Sequence, residues 1–133
     1  MVLVALWVTV GRPAAATGFS GSRSAAMTVS SATLQPASGL AVTTRCGPLL
    51  SLSAQATLSW QVTPSTFAAG YIVERRRGVV LEATTLVTPR TTTTRTETGL
   101  GTGTTYTWTV RAYVDSWTSP GVSVSATTPG VCL

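Results

Sequence analysis

The chain has no lysine and no histidine, and only four side-chain carboxylates, Glu74, Glu82, Glu97 and Asp115, among its 133 residues. Without an imidazole or an amine, a serine or threonine nucleophile lacks its usual general base, which excludes the common triads. Glycoside hydrolysis needs two carboxyl groups flanking one bond. Glu74 and Glu82 instead lie on either side of Arg75-Arg76-Arg77, where charge pairing across a hairpin accounts for them. Glu97 falls near the end of a threonine-rich strand and Asp115 at the start of a later turn, so no pair is expected to converge. Two cysteines with no histidine do not complete a metal site. The sequence therefore reads as non-enzymatic, with no metal and no cofactor.

Other absences narrow the class further. The formal charge is +5, but it comes from arginines scattered along the chain, not from the clustered basic stripe of a nucleic-acid footprint, and no nucleic-acid partner is expected. Gly99-Leu100-Gly101-Thr102-Gly103 has no Lys-Ser/Thr after it and leads into a strand, so it serves a tight corner and not a phosphate. The apolar run Val2 to Val10 is shorter than the roughly 20 residues that span a bilayer. Followed by Arg12, Pro13 and Ala14-Ala15-Ala16, it reads as an export signal with cleavage after residue 16. No stable transmembrane anchor is expected after cleavage, and the predicted location is extracellular or at the cell surface. Residues 17–37 are Ser/Ala/Gly-rich and form an expected N-terminal arm or linker.

Beyond the arm, apolar residues alternate with period two. The expected strands are Leu40 to Arg45, Ala54 to Val62, Tyr71 to Arg77, Val79 to Val87, Thr92 to Thr98, Thr104 to Val114 and Val122 to Thr127. Ala56, Leu58, Trp60 and Val62 share one face of the second strand, and Tyr106, Trp108, Val110 and Ala112 share one face of the sixth. Seven short strands without a helical stretch predict an all-β, two-sheet antiparallel sandwich over residues 38–130, with 131–133 as a tail.

Trp60, Tyr71, Leu100, Tyr106, Val110 and Ala112 occur in the order and spacing of a core signature that resembles the fibronectin type III domain, an immunoglobulin-like sandwich. The whole chain is also similar to small secreted actinobacterial proteins carrying a lone module of this kind. The resemblance implies that Leu100 plugs the core at the turn before the sixth strand and that the Tyr106 hydroxyl bonds to nearby backbone, a tyrosine corner. It also implies that Cys46, in the loop after the first strand, and Cys132, after the last, lie at the same pole. In an exported chain they are expected to form a disulfide.

Two surfaces stand out in that topology. One is the opposite pole, where Phe67, Arg90 and Trp117, with Tyr113 nearby, would form a ligand surface; alternatively, Phe67 and Trp117 pack on each other or under the N-terminal arm. The other is Arg75-Arg76-Arg77, either a contact for an anionic polymer or a solvated, aggregation-blunting edge. The predicted function is a secreted, non-enzymatic module for binding or structural assembly at the cell surface, with a protein or a polysaccharide of the cell envelope as partner. The alternatives are an accessory carbohydrate-binding or spacer module in extracellular polysaccharide degradation, and a self-associating surface-fibre subunit. Alkylation and mass spectrometry of the exported protein should find no free thiol; two alkylated cysteines would remove the disulfide.

Overall fold

A computed structural model describes residues 33–133. The expected signal peptide (1–16) and residues 17–32 of the expected arm lie outside the described residues. The alternation of apolar and polar side chains builds two antiparallel sheets. One is three-stranded, ordered β1 (Ser38–Cys46), β2 (Ala54–Gln61), β5 (Thr94–Leu100). In the other, β4 (Val80–Val87) pairs with β3 (Gly70–Arg77) and β3 with β6 (Thr105–Val114). The far edge of β6 is shared by β7 (Trp117–Thr118) and β8 (Val122–Thr127).

The core is made where the inward faces meet. Leu58 and Trp60 of β2 face Tyr71 and Val73 of β3 and Trp108, Val110 and Ala112 of β6, all buried. Trp60 stands edge-on to Tyr71, with ring centroids 5.3 Å apart at 70°, an arrangement that suits the ring quadrupoles. Leu100 is buried at the end of β5, and the Gly101 N–H donates to the Tyr106 hydroxyl at 2.9 Å. Glycine is required at position 70, because a Cβ there would run into the Val87 carbonyl, and at position 78, where φ is +63° in the β3–β4 turn.

The sandwich differs from the expected strand list in four places. Val62 is 41% exposed although the alternation puts it inward. β2 ends at Gln61, and Thr63, fully buried, turns in instead and donates its N–H to the Tyr71 hydroxyl at 3.0 Å. The fifth strand starts at Thr94 and not Thr92, because Thr92 closes a turn on the Pro89 carbonyl. Cys46 is the last residue of β1, not a loop residue.

The fourth difference is an eighth strand, so the expected seven is corrected. Trp117–Thr118 pairs with Val114 and Tyr113 before Ser119-Pro120-Gly121 interrupts the edge. Proline cannot donate a ladder bond. The hydroxyl of Ser119 fills the gap, accepting from the Ala112 N–H at 2.9 Å. The packed region also reaches past the expected 38–130 span, since Leu34, Ala37 and Cys132 belong to the same buried cluster.

On the outer face of the larger sheet the threonines form a cross-strand ladder. Thr105–Thr127, Thr107–Ser125 and Thr109–Ser123 join β6 to β8 through hydroxyl pairs at 2.7, 2.7 and 2.8 Å, which adds stability to the pairing at little apolar cost. Strand connections divide the molecule into two poles. Segments 47–53, 78–79, 101–104 and 128–133 lie at one; segments 33–37, 62–69, 88–93 and 115–116 lie at the other.

Cys46 and Cys132 are joined by a disulfide across 86 positions of sequence, with Cα atoms 5.3 Å apart. A loop of that length lowers the entropy of the unfolded chain by an amount worth roughly 4 to 5 kcal/mol in the chain-entropy model. Cys132→Ser is expected to destabilise the domain by about 2–5 kcal/mol. In thermal unfolding this is a fall in midpoint of roughly 10 °C or more, and an unchanged midpoint would mean that the bridge carries no stability.

Candidate functional site

Arg75 follows Tyr71 and Val73 on the inward face of β3, so its guanidinium enters the interior between the sheets. It meets Glu97 of β5 there, with Nη1 2.9 Å from Oε1. The same Oε1 accepts from the Trp108 indole N–H at 3.0 Å, and Arg75 lies over the Tyr106 ring, 5.5 Å from its centroid. The Glu97 side chain is only 4% exposed, so the pair is held in a low-dielectric interior where charge-assisted hydrogen bonds are strong.

Arg75 Nε is also 3.6 Å from Glu82 Oε1. Two of the carboxylates that were not expected to converge therefore flank one guanidinium. They do so with the cation between them, and Glu97 is closed off from any substrate. Among the described residues no cluster of three or more His, Cys, Asp or Glu side chains could hold a metal ion.

The arginine triplet is engaged within the chain at every position. Arg75 pairs with Glu97, Arg76 Nη1 with Glu74 Oε1 at 3.1 Å, and Arg77 Nη2 with Glu82 Oε2 at 2.8 Å. Glu82 can serve both Arg75 and Arg77 because the β3–β4 register shifts between Arg75 and Arg76, leaving Glu82 at a bulge. Arg76 and Arg77 remain partly exposed, but their charge is matched locally.

The pole opposite the disulfide is organised around Thr63. Its hydroxyl donates to the Gln35 carbonyl at 2.6 Å and accepts from the Ser65 N–H at 3.2 Å. Its carbonyl accepts from Arg90 Nε at 3.1 Å. Arg90 is thus a strut between segments 62–69 and 88–93, with its Nε committed to that bond. Tyr113 pairs with Thr118 and Val114 with Trp117, and directly opposed residues share a sheet face. Tyr113 and Trp117 therefore lie on opposite faces, and the structure does not bring them together. Phe67 is 45% and Trp117 57% exposed. The close aromatic pairs among the described residues are Trp60–Tyr71 and Tyr106–Trp108, so Phe67 and Trp117 do not stack on each other. Trp117 stands on a hairpin whose turn puts Asp115 at φ 50°.

One group was missed in the sequence. Leu49, Leu50 and Leu52 are 85%, 82% and 67% exposed in segment 47–53 at the disulfide pole. The signal was available: three leucines in Gly47-Pro48-Leu49-Leu50-Ser51-Leu52, between two strands and outside any alternating pattern. Two of them have left-handed backbone, Leu50 at φ 68° and Leu52 at φ 55°, a conformation that bulky side chains rarely adopt.

No family model matches the chain, and no curated protein matches it. Solved structures do. A computationally redesigned β-sandwich protein is 30% identical, with 73% of this chain and 92% of that one covered and a TM-score of 0.57. The fn3 domain of the human collagen α-1(XX) chain is 22% identical, covering 78% and 91%, with a TM-score of 0.57. The fn3 domain of human contactin 1 is 15% identical, covering 80% and 92%, with a TM-score of 0.58.

Glu97→Gln removes the buried carboxylate that Arg75 and the Trp108 N–H share, while Glu82 stays beside Arg75, and is expected to cost about 1–3 kcal/mol of unfolding free energy. The pair Arg75→Met with Glu97→Leu should recover much of that loss, as apolar replacements of whole buried ion pairs do. Denaturant titration of the three proteins checks both statements; a single variant as stable as the parent would show that the inter-sheet pair is dispensable.

Proposed function

From the fibronectin type III-like fold that the chain shares with these solved domains we propose that it is an exported, non-enzymatic module that binds or assembles at the cell surface through its Trp117 pole. The family fold supports a binding or structural module. The observation that carries the finer reading is the contrast between the charged groups and the aromatic ones. Glu74, Glu82 and Glu97 are all committed to arginines within the chain, whereas Trp117 presents an exposed indole on a short, braced hairpin. A rigid aromatic on a sandwich loop offers large contact area at small entropic cost.

Two further features support export. The apolar run and Ala-Ala-Ala stretch before residue 17 have the form of a secretion signal, and a disulfide persists in oxidising compartments. No helix of the described residues is long and apolar enough to cross a membrane. A polysaccharide of the cell envelope is the second reading, favoured by the same exposed indole, whose flat apolar face suits a sugar ring. The anionic-polymer contact at Arg75, Arg76 and Arg77 has little support, because all three are ion-paired.

The test is retention of the purified chain on an insoluble cell-envelope fraction. Trp117→Ala should leave stability within about 0.5 kcal/mol, as for an exposed site away from any buried network, while abolishing retention. Pre-treating the envelope with protease or with a glycan hydrolase separates a protein partner from a polysaccharide. A parent chain that is not retained, or a variant retained equally well, removes this reading.

A further inference from the structure

Two arginines at the Trp117 end of the sandwich, Arg90 and Arg111, bond only to neutral groups. Arg90 Nε donates to the Thr63 carbonyl at 3.1 Å, and Arg111 Nη1 to the Ser119 carbonyl at 3.5 Å. The ion pairs of the described residues include neither arginine. They also leave out Asp115, the one carboxylate in the turns of this pole. The pole therefore carries positive charge that the chain itself does not neutralise, and its field favours an anionic partner.

The fold gives Arg111 a shaped seat. It lies on the outer face of β6 opposite Ile72 of β3, and Tyr113 follows two residues along on the same face. On the β8 side stands Gly121, where a Cβ would come within 2.6 Å of Thr109 Cγ2 and 3.2 Å of the Arg111 guanidinium carbon. Glycine at that position lets the guanidinium lie across the strand edge. Tyr113 is opposed by Gly70 on one side and Thr118 on the other, so from β3 no side chain stands against its ring. In the other direction along β6 the hydroxyl pairs Thr109–Ser123, Thr107–Ser125 and Thr105–Thr127 continue the same face, in ranks roughly 7 Å apart. Within each pair one hydroxyl donates to the other, which leaves the second O–H and the remaining lone pairs for an outside partner.

We propose that this strip binds an acidic polysaccharide, with Arg111 pairing an oxyanion of the chain, Tyr113 against a sugar ring, and the ladder hydroxyls bonding to the sugar hydroxyls that follow. A guanidinium fork matches a carboxylate or a phosphate equally well. A protein partner would need an apolar centre, whereas the strip along β6 and β8 presents hydroxyls, one guanidinium and one phenol. A nucleic acid would need several unmatched cations in line, and the strip has one. This inference rests on the polysaccharide reading of the module, and it assigns the contact to a face that Trp117 does not share.

The experiment is affinity electrophoresis of the oxidised protein through gels holding polygalacturonate, a phosphomannan, neutral galactan or polyglutamate. The parent is expected to be retarded by at least one of the two acidic polysaccharides, less by polyglutamate and not by galactan. Polygalacturonate alone makes the bound group a carboxylate, and phosphomannan alone makes it a phosphate. Arg111→Gln is expected to weaken binding roughly tenfold or more, as the loss of a charge-assisted contact does. Arg111→Lys keeps the charge without the fork and should fall between. Tyr113→Leu, which removes the ring but not the apolar bulk, should also bind more weakly. Unchanged melting midpoints show that the variants fold.

No retardation by either acidic polysaccharide, equal retardation by galactan or by polyglutamate, or an Arg111→Gln variant that binds like the parent overturns the site. Envelope retention lost in Trp117→Ala but kept in Arg111→Gln overturns this site and leaves the Trp117 contact standing. Retention lost in Arg111→Gln alone supports the site and removes the Trp117 contact.

Discussion

One ion pair, Arg75 to Glu97, bridges the two sheets through the interior. A guanidinium from β3 and a carboxylate from β5 meet inside the sandwich, where neither would be tolerated alone. Sliding one sheet over the other would leave Glu97 with Arg95 of its own strand and Arg75 with Glu82 of its own sheet, but would take the acceptor from the buried Trp108 N–H. The apolar side chains around them supply most of the driving force but little directional preference. The Trp108 N–H, bonded to the same carboxylate oxygen, extends the constraint to β6. This small polar cluster therefore fixes which of several similar greasy packings is adopted, and with it the placement of both poles.

That constraint also explains the division of labour between charged and apolar groups. The chain carries few charged side chains, and its carboxylates on β3, β4 and β5 are all drawn into pairs with neighbouring arginines. The flanks of the sandwich are left to threonine and serine hydroxyls that bond across strands. What projects from the ends is apolar: an exposed indole at one pole, three exposed leucines at the other.

Much of the fold was legible because β strands declare themselves through period-two alternation. Ala56, Leu58 and Trp60 were correctly placed inward on that ground, as were Tyr106, Trp108, Val110 and Ala112. The rule fails where a strand stops. Val62 continues the alternation in sequence, but the chain has already left the sheet, and Thr63 occupies the interior because the Tyr71 hydroxyl accepts its N–H. The burial of Glu97 is not legible in the sequence, because nothing local distinguishes a carboxylate awaiting a buried arginine from one facing water; its partner is 22 residues away in the other sheet. Trp117 and Thr118 could not be recognised as a strand, since two residues show no period. The sequence shows Leu49, Leu50 and Leu52 outside the alternating pattern but not which way they face. They become informative only beside their backbone angles and exposure.

The disulfide has a mechanical corollary. Cys132 is joined to the end of β1, so tension applied beyond residue 132 does not first peel away β8; it passes through the sulfur bridge into Cys46. From there it runs back along β1 to Thr33, and the intervening stretch of chain lies inside a covalent loop that a pull cannot lengthen. Under load the force path is β1 itself, a strand already extended, and the remaining strands hang from it inside the covalent loop, outside the line of pull.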